Sequence, residues 1–255
     1  MDATLSSEMP PPEVAAPPAD ASPAPKSFNR HKITTRIWHW VNVVTVFIMI
    51  GSGATILNAH PHLYWGDFGA NPDPAWLHTP HMPSWITIPA GYNLALARRW
   101  HLLFALVLGF GLLFFMISSL INKHFQKDLR IRLSELAPAH LWYDIKEHAA
   151  FRFHDAKDPN ARNVLQKIAY ATAIFVLIPA MIISGLALSP NMDALWPWLL
   201  DVVGGRASAR SVHFIAACGL VGFIIVHLVL VILAGVWNEV RSMITGRWTV
   251  PEDHA

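Results

Sequence analysis

Four stretches of about 20 or more mainly apolar residues divide the chain, and each is long enough to cross roughly 30 Å of hydrocarbon. They run from about Ile37 to Leu57, Trp100 to Ile121, Ile168 to Leu188 and Val212 to Trp237. A bilayer offers backbone amides no water to bond, so stretches of this length cross as helices. The expected fold is an all-α membrane protein, a bundle of four transmembrane helices. Composition agrees, since 53% of the 255 residues are hydrophobic and only 14% are charged, which is unusual for a soluble domain. Pro179 lies inside the third span and is expected to kink it.

Residues 1–29 are rich in Pro, Ala and Ser and hold no apolar run. They are expected to be a disordered cytoplasmic tail and not a signal peptide. A helical domain over 30–250 and a short tail over 251–255 follow. Basic residues set the orientation. Lys26, Arg30, Lys32 and Arg36 precede the first span, nine Lys and Arg lie between the second and third, and Arg241 and Arg247 follow the fourth. The other two connections hold only Arg98, Arg99, Arg206 and Arg210. Positive residues stay on the cytoplasmic side, so both termini are expected inside, N-in and C-in. Spread along the chain in this way, the net charge of +2 points to no nucleic-acid partner.

Ionisable residues are rare in hydrocarbon and mark function by default. His39 opens the first span, His101 opens the second, and His213 and His227 both lie in the fourth. The last two are fourteen residues apart, nearly four turns, so they leave one helix face about 21 Å apart along its axis. With the expected orientation His39 shares the inner depth with His227, and His101 shares the outer depth with His213. Two pairs of imidazoles at two depths can each hold a haem iron from both sides, which favours outer-sphere electron transfer. Helix bundles build cofactor sites in this manner, from side chains on facing helices. The one cysteine, Cys218, excludes covalent C-x-x-C-H attachment, so both haems are expected to be b-type. Arg36 and Arg210 each stand three residues before a ligand, and Arg99 two before, where they could neutralise propionates or merely anchor the span ends. Gly51, Gly53, Gly109, Gly111, Gly219 and Gly222 are candidates either to make room for porphyrin or for close helix packing. His60, His62, His78 and His81 are expected to be surface residues of a polar outer loop.

The R-x-x-H-W run Arg36 to Trp40, the histidine opening the second span and the H-x13-H pair of the fourth resemble the prokaryotic di-haem cytochrome b subunits. That group includes membrane subunits of nickel-iron hydrogenases, formate dehydrogenase (gamma subunit) and thiosulfate reductase, and bacterial cytochrome b-561 proteins. The resemblance covers about Phe28 to Val250 and implies two haem b groups, an inner one on His39 and His227 and an outer one on His101 and His213. It further implies residence in the bacterial cytoplasmic (inner) membrane and electron transfer between quinone and a partner oxidoreductase. That partner would be a molybdoenzyme, a sulfur-compound enzyme or a hydrogenase. An N-x-x-Q-K element at the entrance to the third span, here Asn163 to Lys167, resembles the one that carries a quinone-site asparagine in formate dehydrogenase relatives. Asn163 and Gln166 are therefore quinone candidates, since amides can bond quinone carbonyls; a helix cap is the ordinary alternative for Asn163.

This sequence departs from the smaller relatives in its long outer connection, Asn58 to Ala97, with Trp65, Trp76 and Trp85. These aromatics suit either a docking surface for an outer partner or lipid-interface anchors. Ala137 to Phe153 reads as an amphipathic interfacial helix in contact with membrane lipids. An electron-transfer subunit is the leading expectation, with a self-contained quinol oxidase reducing a small acceptor such as superoxide as the alternative. A transporter would call for internal repeats and broken helices at mid-membrane, and neither is evident in the sequence.

Overall fold

The computed structural model describes residues 27–70, 73–121, 137–138, 142, 146 and 164–249. Strand β1 (Ser27–Asn29) leads into helix α1 (Ile33–Ala59), then β2 (His62–Leu63), β3 (Leu77–His78) and α2 (Leu94–Ile121). After the second connection come α3 (Val164–Thr172), a π-helical segment (Ala173–Leu177) and α4 (Ile178–Leu188). The chain ends through α5 (Pro190–Leu195), α6 (Trp198–Val203), α7 (Arg206–Leu233), α8 (Val236–Thr245) and β4 (Arg247–Thr249). Four helical stretches are long and apolar enough to cross a membrane: Ile33–Ala59, Leu94–Ile121, Val164–Leu188 and Arg206–Leu233.

Burial in the spans runs opposite to that of a soluble protein. Thr45, Thr55, Ser52 and Ser184 are fully buried, while Phe47, Phe110 and Phe114 are 65%, 69% and 73% exposed. Hydrocarbon gives large apolar side chains no reason to turn inward, and small residues let helix backbones approach. This is the pattern of a multi-pass membrane protein. The first span packs chiefly on the second and the third on the fourth, giving two helix hairpins.

Where a kink was expected at Pro179, the structure shows a local widening of the third span. A proline cannot donate to the carbonyl four residues back, and the turn just before it, Ala173–Leu177, is π-helical. The fourth span is shorter at its far end than hydropathy suggests. It stops at Leu233, because Gly235 takes a left-handed φ of 101° and redirects the chain into α8. Val236 and Trp237, assigned to the span by hydropathy, therefore begin a separate amphipathic helix.

The first and last described strands meet. β1 pairs antiparallel with β4, Phe28 opposite Trp248, and Arg30 bonds Glu239 at 2.9 Å. Ser27–Asn29, grouped with the tail on composition, is thus a strand. The end carrying β1 and β4 is the one the basic residues assign to the cytoplasm and is termed inner; the opposite end is termed outer. The helix expected over Ala137 to Phe153 falls almost wholly outside the described residues.

The long outer connection is built onto the helices. His62 and His78 stack across the β2–β3 pair, centroids 4.3 Å apart, and Trp65 stacks on Trp76 at 5.6 Å. Ser211 of α7 donates to the Tyr64 carbonyl at 2.6 Å and accepts from the Trp76 indole at 2.9 Å. Further along, the Ile88 amide donates to the Gly51 carbonyl at 3.0 Å, so this connection reaches down beside the first span. Trp76 and Tyr64 thus serve in docking the loop, whereas Trp85 remains 82% exposed.

Candidate functional site

His101 on α2 and His213 on α7 come from different hairpins and meet at the outer level, ring centroids 6.1 Å apart and planes inclined by 62°. Each ring is held from behind by a serine on its own hairpin partner. His101 Nδ1 lies 3.0 Å from Ser52 Oγ of α1, and His213 Nδ1 lies 3.1 Å from Ser184 Oγ of α4. His213 Nδ1 is also 3.1 Å from the Met181 carbonyl.

The inner pair is arranged differently. His39 and His227 lie within electrostatic reach of each other. His39 Nδ1 is buried with no hydrogen-bond partner among the described residues, and the ring meets Trp40 edge-on at 5.4 Å. Beside this level Tyr170 of α3 packs against Phe223, one turn before His227, with ring centroids 5.8 Å apart. Gln166 lies one turn before Tyr170 on the same helix and is half-buried. Asn163 lies outside the described residues.

The three arginines have separate fates. Arg36 donates to the Ile244 carbonyl, and Trp40 donates its indole N–H to Met243 at 3.1 Å, so both tie α1 to α8. The Arg36 Nε remains buried without a partner among the described residues. Arg99 is exposed at the outer end of α2. Arg210 approaches His60, as does Arg98, a residue the spacing argument passed over. Partial burial first, and these two cations next, push the His60 imidazole below its ordinary value.

The glycines divide as well. A Cβ on Gly51 would strike Ile88, one on Gly111 would strike Trp38 and one on Gly219 would strike Leu177, so these three serve close packing. A Cβ on Gly53 would touch the His101 ring at 3.4 Å, whereas Gly109 and Gly222 face open space. Another glycine, Gly185, stands against His213 as Gly53 does against His101, with a Cβ reaching the ring at 3.2 Å. Sequence reasoning missed both Gly185 and the two serines. A signal was present: Met49-Ile50-Gly51-Ser52-Gly53 and Met181-Ile182-Ile183-Ser184-Gly185 repeat one M-I-x-S-G pattern in the first and third spans.

These residues fit a haem at the outer level. Metal–imidazole bonds are about 2 Å long, so two rings on one iron have centroids about 6 Å apart, and the 6.1 Å observed matches. At the inner level His39 Nδ1 is buried without a partner among the described residues, and no serine among them stands behind the ring as at the outer level.

A membrane bundle with imidazoles facing one another between its helices is the setting of a b-type cytochrome. A model of the prokaryotic cytochrome b561 family matches residues 30–246, and the chain belongs to that b-type haem family. It is similar to a protein of Azospira oryzae provisionally named a protein-methionine-sulfoxide reductase subunit, YedZ1. The two are 32% identical over 208 residues, covering 80% of this chain and 90% of the relative. It is also similar to a protein of Rhodobacter capsulatus provisionally named a Ni/Fe-hydrogenase B-type cytochrome subunit, at 23% identity over 233 residues, 88% of this chain and 82% of that one.

Proposed function

We propose that the chain is a di-haem b-type cytochrome of the bacterial inner membrane that carries electrons between the quinone pool and a separate oxidoreductase on the outer side. The observation that carries this reading is His101 and His213 facing each other between the two hairpins, ring centroids 6.1 Å apart, and the electrostatic reach between His39 and His227 supports a second pair. Each haem, when bound, would supply a one-electron centre. The chain's part is to hold two such centres in a low-dielectric slab, His39 and His227 at the inner level, His101 and His213 at the outer. The positive residues that flank the first span and fill the second connection support N-in, C-in placement. Both named relatives are described as subunits of redox enzymes, which supports a separate catalytic partner.

Quinone is placed at the inner level, beside Asn163, Gln166 and Tyr170. Tyr170 packs against Phe223, one turn from His227, and Gln166 lies one turn before Tyr170 on the same helix, which supports a site at this level. The test is reconstitution of the purified chain in liposomes with a short-chain quinol. Reduction of bound haem b by quinol, and its reoxidation only when a partner subunit is added, is the expected result. Sustained quinol oxidation by the isolated chain with superoxide as acceptor would replace this reading with the self-contained oxidase.

A further inference from the structure

We infer that Ser52 and Ser184 are positioning residues for the outer haem, each fixing the tautomer and plane of one axial histidine. The inference rests on the ligand assignment above and deepens it. Both serines are fully buried. Ser52 Oγ lies 2.6 Å from the Ile48 carbonyl, and Ser184 Oγ lies 2.6 Å from the Ala180 carbonyl, the same i−4 bond within each helix. A carbonyl only accepts and a hydroxyl has one proton, so each serine donates to its own backbone. Its lone pairs then face the imidazole, and the contacts at 3.0 and 3.1 Å are Nδ1–H donating to Oγ. For His213 a second route gives the same answer, because the Met181 carbonyl at 3.1 Å can take only a proton from Nδ1. The Met49 backbone lies beside the His101 ring in the equivalent place.

With the proton on Nδ1, the lone pair is on Nε2 of both rings, as metal binding requires. The glycine after each serine completes the cradle. Gly53 and Gly185 give the ring edge its room, since a Cβ at either would press on Cε1 of the histidine at 3.4 or 3.2 Å. Helix packing alone would account for small residues here, but not for a hydroxyl aimed at a histidine nitrogen twice over. Alanine would pack as well.

A hydrogen bond on the far nitrogen makes an imidazole a better donor to its metal and holds its plane, and losing such a partner costs roughly 10- to 100-fold in metal affinity. A better donor stabilises the oxidised metal. The test uses membranes containing full-length Ser52→Ala, Ser184→Ala and the double variant, with Ser52→Thr and His101→Ala beside them. Redox titration followed by optical and EPR spectra separates the two haems, and the inner one reports folding. The expected result is a positive shift of the outer haem's midpoint potential and a moved low-spin EPR signal in both Ala variants. The double variant should show the larger change and weaker haem retention, the inner haem should stay constant, and Ser52→Thr should be nearer wild type. Unchanged outer-haem potential and spectra, or equal disturbance of both haems, overturns the inference. Loss of the outer haem in His101→Ala beside unaltered serine variants overturns only the inference; retention of both haems in His101→Ala overturns the ligand assignment and the inference with it.

Discussion

Trp76 and Ser211 are 135 residues apart in sequence, and the indole N–H of one donates to the hydroxyl of the other at 2.9 Å. The same hydroxyl donates to the Tyr64 carbonyl at 2.6 Å, two residues of helix away from His213. One buried serine thus fixes the outer connection to the helix bearing an outer ligand. Ser211→Ala deletes both hydrogen bonds, at a net cost of roughly 0.5–1.5 kcal/mol each. Faster hydrogen exchange over residues 62–78, with haem content retained, is the expected outcome. Protection equal to wild type would mean that the loop is held elsewhere.

Two haems per chain are expected, each low-spin with two histidines. Pyridine haemochrome assay against protein mass should give a ratio near two. His39→Ala and His227→Ala should remove one redox component, His101→Ala and His213→Ala the other. Should His39→Ala and His101→Ala delete the same component, the pairing is wrong.

Asn163→Ala and Gln166→Ala should leave both haems in place and slow quinol-linked reduction of the inner one, by tenfold or more if the amides bond the quinone carbonyls at about 1.4 kcal/mol of binding. Stopped-flow reduction in membranes reads this directly. Unaltered kinetics would return Asn163 to the role of a helix cap.

Glu239 accepts from Arg30 at 2.9 and 3.2 Å and from the Trp248 indole at 3.1 Å, and Arg30 also lies over the Trp248 ring. Glu239→Ala removes the acceptor shared by Arg30 and Trp248. The expected result is easier proteolysis around Asn29 and Arg247 and a small loss of thermal stability in detergent, since hydrogen bonds to charged groups contribute roughly 1.5–3 kcal/mol. Quinol-linked haem reduction should be retained. Wild-type protease resistance would show the strand pair to be held by its backbone bonds alone.

Glycines offer a sharper contrast. Gly51→Leu should displace Ile88 and loosen the outer connection, because even a Cβ there overlaps its side chain. Gly109→Ala and Gly222→Ala meet no atom of another described element within 4 Å and should fold as wild type. Detergent melting temperatures decide the matter, and equal loss in all three would remove the distinction.

The spans were legible because a bilayer admits few solutions for twenty apolar residues, and helix rise gave the separation of His213 and His227 along one helix. What hydropathy could not register was conformation. Gly235 sits between apolar residues, and only its left-handed backbone ends the fourth span. Contacts across long separations were hidden in the same way. Nothing local marks Ser211 as the anchor of Trp76, or Gly51 as the seat of Ile88. Ser52 and Ser184 look like any small residues of a membrane helix until each is seen against a histidine. The repeated M-I-x-S-G pattern was short enough to escape notice, yet it sits at the positions that hold the two outer rings.

Since β1 and β4 are hydrogen-bonded neighbours, with Ser27 opposite Thr249, the path of the backbone nearly closes on itself. Each helix hairpin packs chiefly within itself, so neither depends on coming first. A circular permutant that links Thr249 to Ser27 and opens between Ile121 and Val164 would present the third and fourth spans ahead of the first and second. It would retain every helix pairing described. Chain order, in this architecture, is only the choice of where a ring is cut.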